Sequence, residues 1–180
     1  MDVRRVVTGH NDAGQAVFVS DEQVAPVVPD LLPGNEFHRL WGGDVTPHFP
    51  DDGSRQDDRA YFPPVGGFRF GLFTIPPDGG AGAPPDLDFE AAMAEFEEKL
   101  PGLAGHLEPE APGMHTTATI DFEVVLSGSV TLELDDGAKV DLRPGDTVVQ
   151  NGTRHRWSNA GSDPAVLAVF ICGAEHDRIG

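Results

Sequence analysis

The strongest constraint on the fold lies between Ser129 and Leu142. Val130, Leu132 and Leu134 alternate with the polar Ser129, Thr131 and Glu133. Ala138, Val140 and Leu142 alternate in the same way with Lys139 and Asp141. Strict alternation marks a strand with one buried face. Asp136-Gly137 stands between the two runs. That dipeptide suits a type I′ turn, whose two central residues need positive φ, which Gly adopts without steric cost. A β-hairpin is the expectation. Arg143-Pro144-Gly145-Asp146 supplies a second turn, with Pro presetting one φ and Gly allowing a positive one at the next position. Asp146 to Gln150 then reads as another strand, Asn151-Gly152 turns again, and His155 lies on the return. Met114 to Asn159 is thus three or four short strands with a His near each end, and Ala165 to Cys172 closes the array as one apolar strand.

Parity locates a site within this array. In an extended Asp121–Leu126, the side chains of Asp121, Glu123 and Val125 share a face, and His115 and Thr117 share it too if no bulge intervenes. A face of His, Thr, Asp and Glu makes a poor oily core and a good lining for the mouth of a barrel. A barrel or sandwich would let His155 approach from a neighbouring strand.

These residues resemble the two-motif signature of the cupin superfamily. The first motif is written G-x5-H-x-H-x3,4-E-x6-G and the second G-x5-P-x-G-x2-H-x3-N. His115 takes the place of the first His and Asp121 that of the Glu, and Gly128 follows at the motif's spacing. Gly145, Gly152, His155 and Asn159 supply the second motif. The sequence departs from the pattern at Thr117, which replaces the second His, at Pro109, which replaces the opening Gly, and in a second motif that lacks its Pro and is one residue short. The resemblance covers about a quarter of the chain. It implies an all-β cupin, a jelly-roll barrel or double-stranded β-helix. It also implies His115, Asp121 and His155 as ligands of a divalent transition metal (Fe, Mn, Ni, Co or Zn), a donor set chemically suited to such ions. Cupins commonly dimerise through N-terminal strands, so a homodimer using the Arg4–Ser20 hairpin is expected.

Around this constellation, Glu123 is the candidate catalytic acid or base. It lies two residues past Asp121 on the same face, where desolvation would raise its pKa. Thr117 could hold a water or substrate, Trp157 shares the parity of His155 and could wall the pocket, and His106 could contact substrate from the preceding loop. Trp157 serves as well as a core aromatic. Arg154 and Arg156 should point away from the site by alternation. His38 and His48 are read mainly as non-ligating.

The remainder supports a single domain over residues 1–180. Within 1–60, Arg4–Val7 and Ala16–Ser20 read as a hairpin, Gln23–Val28 as an extended run and Phe37–Trp41 as a strand. Pro47–Asp58 reads as a loop. Arg69–Ile75 is a further strand, and Pro77–Pro85 a flexible connector. Over 86–100 the period changes. Phe89, Ala92, Met93, Phe96 and Leu100 make one helical stripe, which packs against the barrel or serves as a lid, with Asp86 or Asp88 as cap and Pro101-Gly102 as stop. The cupin motifs occupy 114–172.

Composition bears on partners and compartment. A net charge of −18 opposes binding to nucleic acid or anionic membrane, both of which need clustered Lys and Arg. No apolar run is long enough for a transmembrane span, and the N-terminus lacks a signal-peptide core. One cysteine, Cys172, fits a reducing cytoplasm and reads as a core thiol. Two functional classes follow. One is a small metal-dependent lyase or oxygenase (decarboxylase, isomerase or dioxygenase type) acting on an organic acid, aromatic or polyketide-like substrate. The other is a metal-free or non-catalytic small-molecule-binding or regulatory cupin. The fold alone does not choose between them.

Overall fold

The computed structural model describes residues 1–56, 59–79 and 84–179. Among the described residues, ten strands are interrupted by one α-helix. In chain order they are β1 (Val3–His10), β2 (Ala16–Val24), β3 (Glu36–Gly43), β4 (Phe68–Ile75), α1 (Phe89–Lys99), β5 (Thr119–Ser127), β6 (Val130–Glu133), β7 (Lys139–Leu142), β8 (Thr147–Asn151), β9 (Arg156–Ser158) and β10 (Ala165–Gly173). They form a five-stranded sheet of order β3-β4-β10-β5-β8, a three-stranded sheet of order β7-β6-β9, and the separate hairpin β1-β2. Every named pairing is antiparallel.

The hairpin expected at Asp136-Gly137 is present, with Val130 paired to Leu142 and Glu133 to Lys139. Asp136 and Gly137 both have positive φ, 56° and 72°, as a type I′ turn requires. The alternation is half-realised in burial. Val130 and Leu132 are buried, whereas Val140 on β7 is 49% exposed, because β7 is the sheet's outer edge. The Gly145 turn has φ of 93°, and Asp146 caps it by accepting a bond from the Arg143 N–H at 2.8 Å.

The two larger sheets face each other. At one end their inner faces close into a core of Ile75, Val125 and Leu167 against Val130, Leu132 and Leu142. β10 is central in its sheet, which explains its unbroken apolar run. Leu167 packs inward, and Val166 packs on the other face with Val3, Leu40 and Leu72 under the β1-β2 hairpin. The Arg4–Ser20 hairpin is longer than expected at both ends, and the extended run past Gln23 ends at Val24, leaving only a bridge from Val27 to Phe37.

α1 begins where the acidic residues suggested. The Asp88 carboxylate accepts a bond from the Ala91 N–H at 3.1 Å. Ala92, Phe96 and Leu100 are buried, and Phe96 and Leu100 pack with Phe37 and Leu103. Phe89 departs from the expected stripe. It is 68% exposed, since it lies in the first turn beyond the reach of that cluster. Cys172 is half-buried rather than a core thiol, because its side of β10 faces out from the barrel. The part of the expected connector at 80–83 lies outside the described residues.

Candidate functional site

Two backbone hydrogen bonds assemble the site. The N–H of His115 donates to the carbonyl of His155, and the N–H of His155 donates to that of His115, each at 3.0 Å. A pair that exchanges both bonds holds its side chains next to each other on one face. The imidazole rings accordingly stand 4.2 Å apart, centroid to centroid. The same bridge ties the loop entering β5 to the start of β9, so residues forty positions apart in sequence become neighbours.

Each ring is also oriented. Nδ1 of His115 lies 3.1 Å from the carbonyl of Gly113, and Nδ1 of His155 lies 2.8 Å from that of Thr153. A carbonyl can only accept, so each Nδ1 carries the proton and each Nε2 keeps its lone pair. This is the tautomer a metal-ligating or proton-accepting imidazole needs. Burial lowers both rings' affinity for a second proton. The His155 pKa falls to about 4, by desolvation and then by the neighbouring His115. That of His115 is lowered chiefly by desolvation, with the Gly113 carbonyl opposing.

β5 contributes the acids. Asp121 and Glu123 line the same cavity as the two imidazoles, as their shared parity requires. Oδ1 of Asp121 and Oε2 of Glu123 are buried with no hydrogen-bond partner. Desolvation raises Asp121 to about 6, against an opposing bond from Thr119. Desolvation, with the Asp121 charge added, raises Glu123 to about 8.

The cavity encloses about 350 Å³, within the ordinary range for small-molecule sites. Its wall is mainly apolar. Phe37, Tyr61, Phe62, Phe73 and Trp157 supply rings, and Leu167, Val169 and Ile171 supply β10's inner face. Phe37 stacks on Phe73 at 4.8 Å and meets Tyr61 edge-on at 5.8 Å. α1 backs this wall, since Phe96 and Leu100 pack on the same cluster. The Tyr61 hydroxyl is pushed well above its usual range by burial and by the charge of Asp121.

Five of the residues singled out in the sequence therefore share one cavity: His115, Asp121, Glu123, His155 and Trp157. Thr117 and His106 are not among its lining. The chain bends between His115 and β5, so the two-residue period does not carry across, and the buried Thr117 hydroxyl instead pairs with that of Thr119 at 2.8 Å. His106 uses Nδ1 on the Thr116 carbonyl at 3.0 Å and sets its ring edge-on to Phe62, bracing the loop behind the wall. Arg154 pairs with Glu108 and Asp135, and Arg156 with Glu133, both away from the cavity as alternation required. Tyr61, Phe62 and Asp78 also line the cavity and were not anticipated. The one signal for the first two was an aromatic pair against prolines, YFPP, at the end of a polar loop.

The donor set fits a metal in part. Two adjacent Nε2 lone pairs and two buried unpartnered carboxyl oxygens are chemically suitable ligands. The three-ligand centre implied by the motif is not assembled, because among the described residues no three His, Cys, Asp or Glu side chains converge closely enough to share one ion. Asp121 is one methylene shorter than the motif's Glu, which limits its reach toward the imidazoles.

Comparison with known proteins is consistent with this fold. Residues 105–172 match the family described as cupin domain. The chain is 50% identical over 173 residues to phomopsin biosynthesis cluster protein C′ of Diaporthe leptostromiformis, covering 93% of this chain and 76% of that protein. It is 40% identical over 88 residues to oryzines biosynthesis cluster protein J of Aspergillus oryzae, covering 49% of this chain and 45% of that protein. A cupin-domain-containing oxidoreductase of Aspergillus ruber is 37% identical over 78 residues, 41% of this chain and 38% of that protein.

Proposed function

Since the chain belongs to the cupin superfamily, we propose that it is a cupin enzyme of small-molecule biosynthesis, acting on an aromatic or polyketide-like substrate that carries an acidic oxygen head. The observation that carries this reading is the composition of the cavity. Paired imidazoles and two buried carboxyl groups lie against a predominantly aromatic and aliphatic wall. The apolar wall suits the body of such a substrate, and the unpartnered polar atoms suit its head. The relatives named for biosynthesis clusters and as a cupin-domain-containing oxidoreductase support a cupin enzyme in general.

In this reading Glu123 holds or moves the proton at the reacting carbon, from a site where water is largely excluded. Asp121 sits beside it as the second carboxyl. His115 and His155 bind the oxygen head through Nε2, or hold a divalent transition metal there, which when bound would polarise a substrate carbonyl or carboxylate. Trp157 and Tyr61 orient the ring or chain of the substrate. Decarboxylation releases CO2 and needs one proton delivered to the resulting enolate carbon, whereas isomerisation needs one proton removed and one returned; Glu123 is placed to serve either. The single cysteine supports a reducing, cytoplasmic setting.

A second reading is a metal-free cupin that binds its ligand without turning it over, held by hydrogen bonds from the paired imidazoles and the unpartnered carboxyl oxygens. Elemental analysis of the purified protein and of His115→Ala, with product analysis by mass spectrometry on a panel of β-keto and aromatic acids, separates the two. Turnover by the wild type that Glu123→Gln abolishes supports the enzyme, and stoichiometric metal lost in His115→Ala adds the metal. Tight binding of panel members without turnover, at trace metal, overturns the enzyme in favour of the binder.

A further inference from the structure

The cavity is rich in hydrogen-bond acceptors and poor in donors. His115 and His155 each keep an Nε2 lone pair, since each Nδ1 proton is spent on a carbonyl. Asp121, Glu123 and Asp78 add carboxyl groups to the same lining. The side chains of the lining that carry a donor are Tyr61, Trp157 and Asn35. Asn35 turns its amide back onto the carbonyl of Leu32, on the loop before β3. Trp157 stands on β9, with its ring edge-on to His155. Tyr61 stands on the side of the acids.

Tyr61 shares a recess of the inner sheet face with Val169 and Ile171 of β10. Those two are the register partners of Glu123 and Asp121 on β5. The phenol therefore lies across β10 from the two carboxyls. Its ring is braced edge-on by Phe37 at 5.8 Å and by Phe62 at 4.9 Å, and its N–H donates to the Pro101 carbonyl at 2.9 Å. Its hydroxyl has no hydrogen-bond partner among the described residues. Burial first, then the charges of Asp121 and Glu123, outweigh Arg39 and keep that hydroxyl protonated well above its usual range.

We propose that the Tyr61 hydroxyl is the catalytic hydrogen-bond donor to the oxygen on which negative charge collects, and not only a surface that orients the ring. The role rests on the enzyme reading of the cavity. When a β-keto acid loses CO2, the electron pair of the breaking C–C bond forms a C=C bond and places the charge on the ketone oxygen. Glu123 then gives its proton to the carbon, the C=O bond re-forms, and the Glu123 carboxylate takes a proton back from solvent. In isomerisation Glu123 removes the proton and returns it to a second carbon, and the charge passes through the same oxygen. Glu123 is engaged at carbon in both, and an ionised Asp121 repels the oxygen. The Nε2 lone pairs can accept an O–H or hold a cation, and cannot donate. A neutral phenol fixed in an apolar wall donates to the oxygen without giving up its proton.

Tyr61→Phe removes the hydroxyl and keeps the ring. The probe is 4-nitrophenol, titrated at a pH where its oxygen is ionised, with 4-nitroanisole as the neutral counterpart and quenching of tryptophan fluorescence as the readout. Tyr61→Phe is expected to lose at least about tenfold in affinity for the phenolate and less than about twofold for the anisole, the difference a bond to a charged oxygen makes. For any panel acid that is turned over, kcat should fall about 10²–10³-fold with KM nearly unchanged. Tyr61→Gln, which restores a donor, should recover part of the phenolate affinity. Tyr61→Met, also without a donor, takes the place of the Phe variant if that one fails to fold. Absent turnover beside the expected phenolate loss removes the enzyme and still supports Tyr61 as the donor to an anionic oxygen. A wild type that binds neither probe, equal losses for both probes, or a folded donor-less variant with wild-type affinity for the phenolate overturns the proposal.

Discussion

Asn159 is the polar side chain on which the rim of the cavity depends, and Asn159→Asp isolates its contribution. The residue is fully buried. Its Nδ2 donates to the carbonyls of Ile75 at 3.1 Å and Asp163 at 2.9 Å, and its Oδ1 accepts from the Gly161 N–H at 2.9 Å. Its backbone N–H donates to the Asp78 carboxylate at 3.0 Å, and its carbonyl accepts from the Asp78 N–H at 2.6 Å. The side chain thus joins the end of β4 to the stretch before β10, and the backbone of the same residue holds the Asp78 segment that lines the cavity. Aspartate keeps the shape and removes both donors. Two buried carbonyls lose their partners, at about 1–1.5 kcal/mol each, and face an ionised oxygen. The expected loss is about 2–4 kcal/mol at pH 7, a large part of a small domain's stability. The new carboxyl has its folded pKa raised above the ordinary value near 4, so the folded state takes up the proton first. The deficit therefore shrinks as pH falls through that raised value, because the protonated oxygen can donate again. Urea unfolding followed by the fluorescence of Trp41 and Trp157, at pH 7 and pH 5, reads both effects. A variant within 0.5 kcal/mol of wild type at pH 7, a margin below one net hydrogen bond, would refute the reasoning.

Glu123→Gln is expected to raise stability by about 1–3 kcal/mol at pH 7 while removing turnover, because a buried carboxyl oxygen without a partner is costly and the amide is not charged. Thermal melts beside the product assay check it, and a destabilised variant would show that the carboxylate is paired in solution. Glu133→Gln should reduce acid sensitivity. Arg156 first, then Lys139, hold the Glu133 carboxyl below its usual range, so its contribution is full above the ordinary carboxylate pKa and is lost as pH falls through the lowered folded value. The gap in melting temperature between wild type and variant should be widest near pH 7 and narrow as the pH falls below the ordinary carboxylate pKa of about 4.3. Gly128→Ala should cost more than about 2 kcal/mol, because its φ is 71° and a Cβ would stand 2.6 Å from the Cα of Ala165. Chemical denaturation gives the figure, and a neutral result would mean the β5-β6 turn can relax.

The hairpins were legible because their signals are local. Asp136-Gly137, Pro144-Gly145 and the alternation around them specify turn geometry and strand face without reference to the rest of the chain. The helix was legible for the same reason, and the exposure of Phe89 was not, because a stripe says nothing of where its packing partner ends. At the site, parity placed Asp121, Glu123 and Val125 on one face since β5 is continuous. It failed at Thr117, where the chain leaves the extended state between His115 and Thr119. Motif spacing brought His115 and His155 together, but the agent that does so, a reciprocal backbone bridge, has no sequence signature. Tyr61 and Phe62 reach the cavity from a loop whose course is set by tertiary contacts, including the Tyr61 N–H on the Pro101 carbonyl.

One strand shows how the container and the site are reconciled. Along the inner face of β5, Val125 is 2% exposed within the closed core, and Glu123 and Asp121 follow it into the cavity. β10, alongside, presents Leu167 to that core and then Val169 and Ile171 to the cavity. The apolar series on β10 is unbroken, so the change of character is made by β5 alone. Leucine at 121 and 123 would extend the core and fill the cavity, at a gain in buried apolar area and with no orphaned oxygen. The carboxyls therefore work against the fold, and their neighbours do not rescue them. Asp121 has only Thr119 in opposition to desolvation, and Glu123 has the Asp121 charge against it. The imidazoles impose no comparable cost, since each is neutral and each satisfies its one proton on a carbonyl two residues away. Stability is thus given up at Asp121 and Glu123 and hardly elsewhere in the cavity, which is why Glu123→Gln separates the requirements of the fold from those of the chemistry more cleanly than substitution of either histidine.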